Sequence, residues 1–255
     1  AIILLSFNLV YLVQSNKNTV VTISKNTPTQ TGLGIITKAL NIKGSHQKMD
    51  SGRILEPGVM DFHSGIIQVE MFSGASLVLH GPVKIKFIDP MKAQLLYGHI
   101  RARVPKQAQG FTLLTKDMNI VDLGTEFTLK VEPNKAPQVY VHEGEVLLNE
   151  TVNNKTLKSV KTAEGYSWVD EQFTATQKSP KTISFDDLEK LNKDFRQEKL
   201  NAWQDFAKSL KQRKDVVLFY SFQDQAHSSR VIKNQSLVND ENLNGSIVGA
   251  KWSQG

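Results

Sequence analysis

The chain has 255 residues, 40% of them hydrophobic and 22% charged, with a formal net charge of +6. This length accommodates one large domain or two smaller ones, and the composition is that of a chain that buries a core. The absence of cysteine excludes disulfides and thiolate metal sites, although it leaves the cellular compartment open. Lys and Arg are interspersed with Asp and Glu along most of the chain, so we expect no nucleic-acid partner.

A nearly continuous apolar segment spans residues 1–13, and a polar stretch follows it. The segment is shorter than the ~20 apolar residues that a membrane-spanning helix needs. It is compatible with part of a transmembrane helix, with the core of a signal peptide, or with a buried strand or helix. Because the sequence does not begin with Met, we favour a truncated transmembrane helix over residues 1–15, with residues 16–31 as a membrane-proximal linker.

Residues 32–180 are predicted to form an all-β domain, in which short strands stack like a β-solenoid or a sandwich. Apolar residues alternate with polar ones in several segments, for example with lysines in residues 83–88, as expected for half-buried strands. Glycine cuts this pattern at regular intervals, and Gly81-Pro82 and Gly98 predict breaks between strands. An exposed edge of such a stack could pair with a second chain.

One long amphipathic helix is predicted over residues 183–214. Ser184 is expected to cap its start, and Asp186 and Asp187 place negative charge in the first turn. Apolar residues then recur at helical spacing, and basic residues cluster near the end. We interpret the helix as packing against the β-domain or bridging to the next domain. The alternative is a helix that binds a partner or a membrane surface.

Residues 215–255 are predicted to contain the first strands of a second, truncated β-domain. An apolar run at residues 216–222 indicates a strand, residues 234–236 indicate a polar loop, and residues 245–252 indicate a further strand. A lone pair of strands with exposed edges is only marginally stable, so further strands are expected to complete this domain.

The sequence contains no pattern that clearly indicates catalysis or metal binding. The six histidines show no metal-binding spacing, and no nucleophile elbow or phosphate-binding loop occurs. Asp122 and Glu126 could form a carboxylate pair for acid–base catalysis if burial raised one pKa. We favour a structural turn, in which Asp122 accepts hydrogen bonds from turn amides and Gly124 takes a special backbone conformation. Thr125 and Glu126 then lead into the next strand, and we predict no catalytic residue and no cofactor.

Basic and aromatic residues follow two of the predicted strands. Lys84, Lys86, Arg101 and Arg103, with Tyr97 nearby, could bind an anion if these strands stack. The interpretation that we favour is the solvated outer face of a sheet, on which basic side chains are common.

The order of glycine-containing motifs in residues 54–169 resembles the FecR family of bacterial extracytoplasmic regulatory domains. The succession runs GASLVLHGPVKIKF, LLYGHIRARVP, GFTLLTKDMNIVDLGTEFTLKV and VYVHEGEVLL. The residues that carry the strongest part of the resemblance are Gly81, Pro82, Asp122, Gly124, Thr125, Glu126, Phe127, Glu143 and Gly144. The tail from residue 218 onward resembles the opening of a concanavalin A-like, or laminin-G-like, jelly roll.

The first resemblance implies a single-pass protein of the bacterial inner membrane whose bulk is a periplasmic, β-solenoid-like domain. Such a protein is a non-enzymatic sensor or regulator. It relays an envelope signal to an extracytoplasmic-function sigma factor through a cytoplasmic anti-sigma segment, which this sequence does not contain. The C-terminus departs from the iron-siderophore regulators of the family, since a helix and a lectin-like start replace the domain that engages an outer-membrane transporter. An envelope protein or a glycan is therefore the expected ligand.

Two other functions fit the sequence. A cell-surface carbohydrate-binding or structural protein would use the β-domain as a spacer and the lectin-like start as its ligand-binding domain. A hydrolase would require Asp122 or Glu126 to take part in catalysis.

Overall fold

The computed structural model describes residues 32–169, 172–176, 178–222, 230–238 and 240–249. The expected transmembrane helix and linker, residues 1–31, lie outside this part and stay predictions. No helix among the described residues is both long enough and apolar enough to cross a membrane. The described chain consists mostly of strands with one long helix, which confirms the predicted all-β class.

In the part of the chain that the structure describes, fourteen strands pair into one sheet and two very short strands pair separately. The strands of the large sheet are β1 (Gly34–Lys43), β2 (Ile54–Leu55), β3 (Gly58–Phe62), β4 (Ser64–Met71), β5 (Ser76–Asp89), β6 (Lys92–Arg103), β7 (Thr112–Leu114), β8 (Asn119–Asp122), β9 (Glu126–Val131), β10 (Gln138–Glu143), β11 (Glu145–Asn149), β12 (Thr156–Lys161), β13 (Gly165–Val169) and β14 (Gln172–Ala175). The separate pair is β15 (Val231–Ile232) and β16 (Gly245–Ser246). A 3-10 turn, Lys106–Ala108, follows β6, and Pro105 precedes it.

The hairpin of β5 and β6 lies at the centre of the large sheet. β5 also pairs with β3 and β4, and β6 also pairs with β7 and β9. Among the described pairings of this sheet, β6 with β7 is parallel and the others are antiparallel. The stack is therefore built mainly from neighbouring antiparallel strands.

Gly81, Pro82 and Gly98 lie inside the central hairpin, so the prediction that they separate strands is wrong. Residues 76–80 of β5 pair with β4, whereas residues 83–87 pair with β3. Between these halves, three residues of β5 oppose the single residue Gly98 of β6. A bulge of this kind bends a strand without ending it. Pro82, which has no amide hydrogen to donate, is tolerated there because a residue in the bulge is left out of the ladder pairing. The bend allows the long strand β5 to pair with β4 in its first half and with β3 in its second half.

The main core lies on one side of the central hairpin. The apolar residues predicted to point inward are buried there, and these are Val83, Ile85, Phe87, Ile100, Ala102 and Val104. The opposite side carries Lys38, Gln68, Val78, Arg101 and Thr128, and we call it the outer face. These residues lie directly opposite one another across β1, β4, β5, β6 and β9 and therefore share a face, and Leu40, two residues after Lys38 on β1, shares it too.

The long helix, α1, spans Phe185–Lys211. The Ser184 hydroxyl accepts a hydrogen bond from the Asp187 amide at 3.0 Å, which is the predicted cap. Asp186 and Asp187 occupy the first turn, where negative charge is favourable. The helix therefore begins where its cap and charge pattern predicts.

The first turn of α1 packs on the outer face of the sheet. Phe185 and Leu188 are buried against Leu40 and Val78. Further along the helix, Phe195 is partly buried against the same cluster, whereas Leu191, Leu200, Trp203 and Phe206 are exposed. Packing against the β-domain, one of the two interpretations of the helix, thus applies to its first half.

Residues 216–222 form no strand, so that prediction is wrong. The Asn234 side chain forms hydrogen bonds with backbone groups of this segment, and these are groups that a neighbouring strand would otherwise bond. Its Oδ1 accepts from the Phe219 amide at 2.9 Å, and its Nδ2 donates to the Val217 carbonyl at 3.0 Å. The Ser236 hydroxyl also donates to Val217, at 2.8 Å. The last residues of the sequence lie outside the described part, so the jelly-roll continuation stays a prediction.

Candidate functional site: the Asp122 turn

The chain turns tightly around the carboxylate of Asp122, which ends β8, before β9 begins at Glu126. Asp122 Oδ1 accepts hydrogen bonds from the amides of Gly124 at 2.5 Å and Thr125 at 3.1 Å. The Thr125 hydroxyl donates to Asp122 Oδ2. Gly124 has a φ of +97°, a left-handed conformation that glycine adopts without steric cost. Aspartate suits such a turn because its short side chain reaches amides two or three residues ahead.

The backbone of this turn is held from two sides. The Asp122 amide donates to the Phe111 carbonyl at 3.0 Å, and the Asp122 carbonyl accepts from the Gly110 amide at 2.7 Å. Gln109 Nε2 donates to the Leu123 carbonyl at 2.6 Å. On the other side, the Leu123 amide donates to the carbonyl of the first residue of β11 at 3.2 Å. The turn therefore links the segment after the 3-10 turn to β11.

The Glu143-Gly144 turn, which joins β10 to β11, packs directly against the Asp122 turn. A Cβ atom at Gly144 would lie 2.6 Å from Thr125 Cγ2 and 2.7 Å from the Gly124 carbonyl oxygen. Gly144 also has a φ of +89°, which a residue with a side chain adopts only at a cost. Two motifs that are separate in the sequence thus interlock, and we call Asp122, Gly124, Thr125 and Gly144 the turn joint.

The protonation of Asp122 is governed by its burial. The side chain has no exposure to solvent. Burial raises the pKa of Asp122 to about 7, although the hydrogen bonds from Gly124 and Thr125 act in the opposite direction. Both carboxylate oxygens are bonded within the turn, so this group does not face a substrate. A perturbed pKa also occurs in structural networks, and the contacts of Asp122 are of that kind.

Glu126 points to the outer face and pairs with two arginines. Its Oε1 accepts from Arg101 Nε at 2.6 Å, and its Oε2 accepts from Arg103 Nε at 2.8 Å. Burial raises the pKa of Glu126, but the hydrogen bonds and charges of Arg103 and Arg101 outweigh it and hold the pKa below its ordinary value. Lys84 lies 3.3 Å from Asp61. These three basic residues therefore meet carboxylates of the chain itself and do not form an open anion-binding row.

The other motif residues lie away from the turn joint. Phe127 follows Glu126 in β9 and is fully buried in the main core. The Gly81-Pro82 bulge lies beside Gly98, at the far end of the β6–β9 pairing from Glu126. The structure thus brings two of the three motif segments together and leaves the third at a separate bend.

The chemistry of the turn joint is that of a structural connection. Asp122 is bonded within its own turn, whereas Glu126 is bonded to Arg101 and Arg103, so the two carboxylates do not form a matched acid–base pair. Within the described residues, no group of three or more histidine or acidic side chains is arranged to hold a metal ion.

Sequence reasoning did not identify the polar cluster around Thr128 on the outer face. Thr128 Oγ1 lies 2.8 Å from His142 Nε2 and 3.2 Å from Thr182 Oγ1. Thr128 and Thr182 are 54 positions apart, so local spacing cannot indicate their contact. The available signal is weak: Thr128 and His142 alternate with buried apolar residues in their strands and therefore share the face opposite the core.

The chain has a weak structural likeness to solved proteins. No family model matches it, and no curated protein matches it. Two crystal structures of a "putative anti-sigma factor" from Parabacteroides distasonis ATCC 8503, at 1.65 and 2.50 Å resolution, are similar to part of it. Each has 15% sequence identity and a TM-score of 0.39. The likeness covers 46% of this chain, and it spans 57% and 56% of the two solved chains. A likeness of this size assigns neither fold nor function.

Proposed function

We propose that the chain is a non-enzymatic, membrane-anchored extracytoplasmic regulator of the FecR type, which relays an envelope signal to an extracytoplasmic-function sigma factor. The observation that carries the proposal is the turn joint. Residues 122–127 and 143–146 are two of the three segments that carry the strongest part of the FecR resemblance, and their turns contact each other in the fold. The contact accounts for the presence of both motifs, because the Asp122 turn requires a position without a side chain opposite Thr125.

A relay role fits the carboxylates of Asp122 and Glu126 better than catalysis does. A general acid or base must come within hydrogen-bonding distance of its substrate. Asp122 is buried with both oxygens bonded, and Glu126 is held between two arginines. Both groups therefore support a rigid connection between strands.

The membrane part of the proposal rests on residues 1–13, whose apolar sequence suits part of a spanning helix. Anchoring there would place the β-domain on the periplasmic side of the inner membrane. Alkaline phosphatase fused after residue 255 tests this topology, because that enzyme needs an oxidising compartment for its disulfides. We expect the phosphatase fusion to be active, and a green fluorescent protein fused at the same position and exported by the same route to be non-fluorescent. An inactive phosphatase fusion together with a fluorescent second fusion would contradict the topology.

The relay itself is tested by deleting the gene in its own bacterium and measuring all transcripts. We expect the regulon of one extracytoplasmic-function sigma factor to change, and the wild-type gene in trans to restore it. In parallel, the tagged full-length protein is captured from cross-linked membranes, and mass spectrometry is expected to identify that sigma factor. Unchanged transcripts together with no captured sigma factor would exclude the relay.

A further inference from the structure

Two histidines lie side by side on the outer face of the central hairpin. The register of β5 and β6 places His80 directly opposite His99. Both side chains share the face of Val78 and Arg101, because residues two apart on a strand point to the same side. The ring centres are 6.4 Å apart, and the ring planes meet at 81°. The fold thus brings together two imidazoles that no local spacing in the sequence connects.

A cavity of about 390 Å³ lies beside the two rings. Both histidines line it, together with Tyr97, Glu132 and Lys135. His80 is exposed and His99 is half-buried, so a small solute reaches both rings from this cavity. The cavity leaves room for a metal ion at the rings and for the water molecules that complete its coordination.

The surroundings of the pair keep His99 neutral near pH 7. Burial lowers the pKa of His99, and the charge of Lys130, which lies opposite it on β9, lowers the pKa further. A neutral imidazole has a lone pair that binds a metal ion, whereas a protonated imidazole has none. Lys130 and Lys135 would repel a cation, but both pair with Glu132, at 3.0 and 3.2 Å. The carboxylate therefore offsets part of their charge beside the rings.

We propose that His80 and His99 together bind a divalent transition-metal ion, with Cu²⁺ as the preferred ion. Imidazole nitrogen suits copper, nickel and zinc, and the affinity of such ligands for divalent first-row metals is highest for Cu²⁺. Zinc sites ordinarily have three or four protein ligands. A tetragonal Cu²⁺ ion instead takes two nitrogens at adjacent positions and water at the others. The site does not depend on the function proposed above.

The distance between the rings is close to what a shared metal ion requires. A metal held about 2.1 Å from one nitrogen of each ring, at adjacent coordination positions, separates the ring centres by roughly 4.5–5 Å. The two rings are 6.4 Å apart, so they approach each other by about 1.5 Å when the metal binds. His80 is exposed, and rotation of its side chain supplies this movement.

The hairpin makes the two imidazoles a chelate. Once one nitrogen has bound the metal, the strand pairing holds the second nearby, so the second bond forms at a high effective concentration. Such linkage raises affinity about 100-fold or more over a single ligand. Removing either ring should therefore weaken binding nearly as much as removing both.

Copper titration of the untagged full chain in a non-ionic detergent tests the site. By isothermal titration calorimetry we expect one tightly bound Cu²⁺ per chain, and about 100-fold weaker binding in His80→Gln and in His99→Gln. His46→Gln, which changes an exposed histidine elsewhere, should bind like the wild type. Electron paramagnetic resonance should show coupling to two imidazole nitrogens in the wild type and to fewer in either single variant. Mg²⁺, which prefers oxygen ligands, should not bind.

Equal affinities of the wild type, His80→Gln and His99→Gln would indicate an adventitious ion only and would overturn the proposal. Equal weakening in His46→Gln would overturn it too, because the loss would then not be specific to the pair. Urea unfolding provides a second measure that includes a check of folding. Cu²⁺ should raise the unfolding midpoint of the wild type, because it binds the folded state, and should not raise that of His80→Gln. Equal shifts in the two proteins would contradict the site.

Discussion

The guanidinium carbon of Arg103 lies 4.3 Å from the centre of the Phe185 ring. Arg103 ends β6, and Phe185 is the first residue of α1. Arg103 also donates a hydrogen bond to Glu126, the first residue of β9. One arginine therefore contacts both the strand that leaves the turn joint and the start of the helix.

The Arg103–Phe185 contact should appear as an energetic coupling. In a double-mutant cycle with Arg103→Gln and Phe185→Leu, we expect a coupling free energy of about 0.5–1 kcal/mol, because a cation over an aromatic face is stabilising. Urea unfolding of the four proteins measures it. The cycle separates this contact from the loss of the Arg103–Glu126 bond, which affects both arginine variants equally. Additive free energies of unfolding would show that the contact contributes nothing.

The carboxyl of Asp122 should make the protein less stable at high pH. Its pKa rises from 3.8 in the unfolded chain to about 7 when folded, so the folded state binds more protons between these values. The stabilisation is complete below pH 3.8 and is lost as the pH rises through 7. We expect ionisation to cost up to about 4 kcal/mol well above pH 7. Thermal or urea unfolding between pH 5 and pH 9 measures this loss.

Asp122→Asn is the matched variant for this prediction. Asparagine keeps an oxygen for the amides of Gly124 and Thr125, and its NH₂ group can donate to the Thr125 hydroxyl. We therefore expect the variant to fold and to unfold with little pH dependence over the same range. A variant whose stability falls with pH as steeply as that of the wild type would assign the effect to another group.

Removing the charge of Glu126 should leave two arginines without their carboxylate. Because Glu126 and Arg101 are largely buried, we expect Glu126→Gln to lose about 1–3 kcal/mol of unfolding free energy near pH 7. The pKa of Glu126 is lowered in the folded state, so the wild type should lose part of this advantage on acidification through that pKa. Urea unfolding at neutral and acidic pH measures both effects. Lys135→Gln, at an exposed ion pair, should leave stability unchanged.

The close approach of Gly144 to the Asp122 turn predicts a large effect of a single methyl group. Gly144→Ala places a Cβ against Thr125 and the Gly124 carbonyl oxygen, in addition to the cost of its positive φ. Gly52 has the same φ of +89° and no atom within 4 Å of an added Cβ. We expect Gly52→Ala to lose about 1–2 kcal/mol, and Gly144→Ala to lose about 1–3 kcal/mol more. Equal losses in urea unfolding would show that the joint tolerates the added methyl group.

Local sequence patterns account for much of the fold because they depend on near neighbours. Alternation of apolar and polar residues predicts the inward positions of Val83, Ile85 and Phe87, since side chains of a strand point to opposite faces in turn. The start of α1 is predictable for the same kind of reason, because the Ser184 cap reaches an amide three residues ahead.

Contacts between distant segments could not be predicted in this way. The local pattern at Gly81-Pro82 predicts a break, because such a pattern does not show that β5 continues beside a second neighbour. Residues 216–222 have strand-like composition, but a strand forms only when another strand pairs with it, and Asn234 occupies those backbone groups instead. The β-propensity of a segment indicates that a strand conformation is available to it, and the segments that contact it in the fold decide whether the strand forms.

The sequence by itself determined the strand periodicity, the helix start and the kind of turn that Asp122 forms, because each depends on bonds or sterics within a few residues. The tertiary structure alone decided that Gly144 lies against that turn, that Arg101 and Arg103 share Glu126, and that Thr128 contacts both His142 and Thr182. These relationships depend on which strands pair and in what register, and register is set by the collective burial of the core.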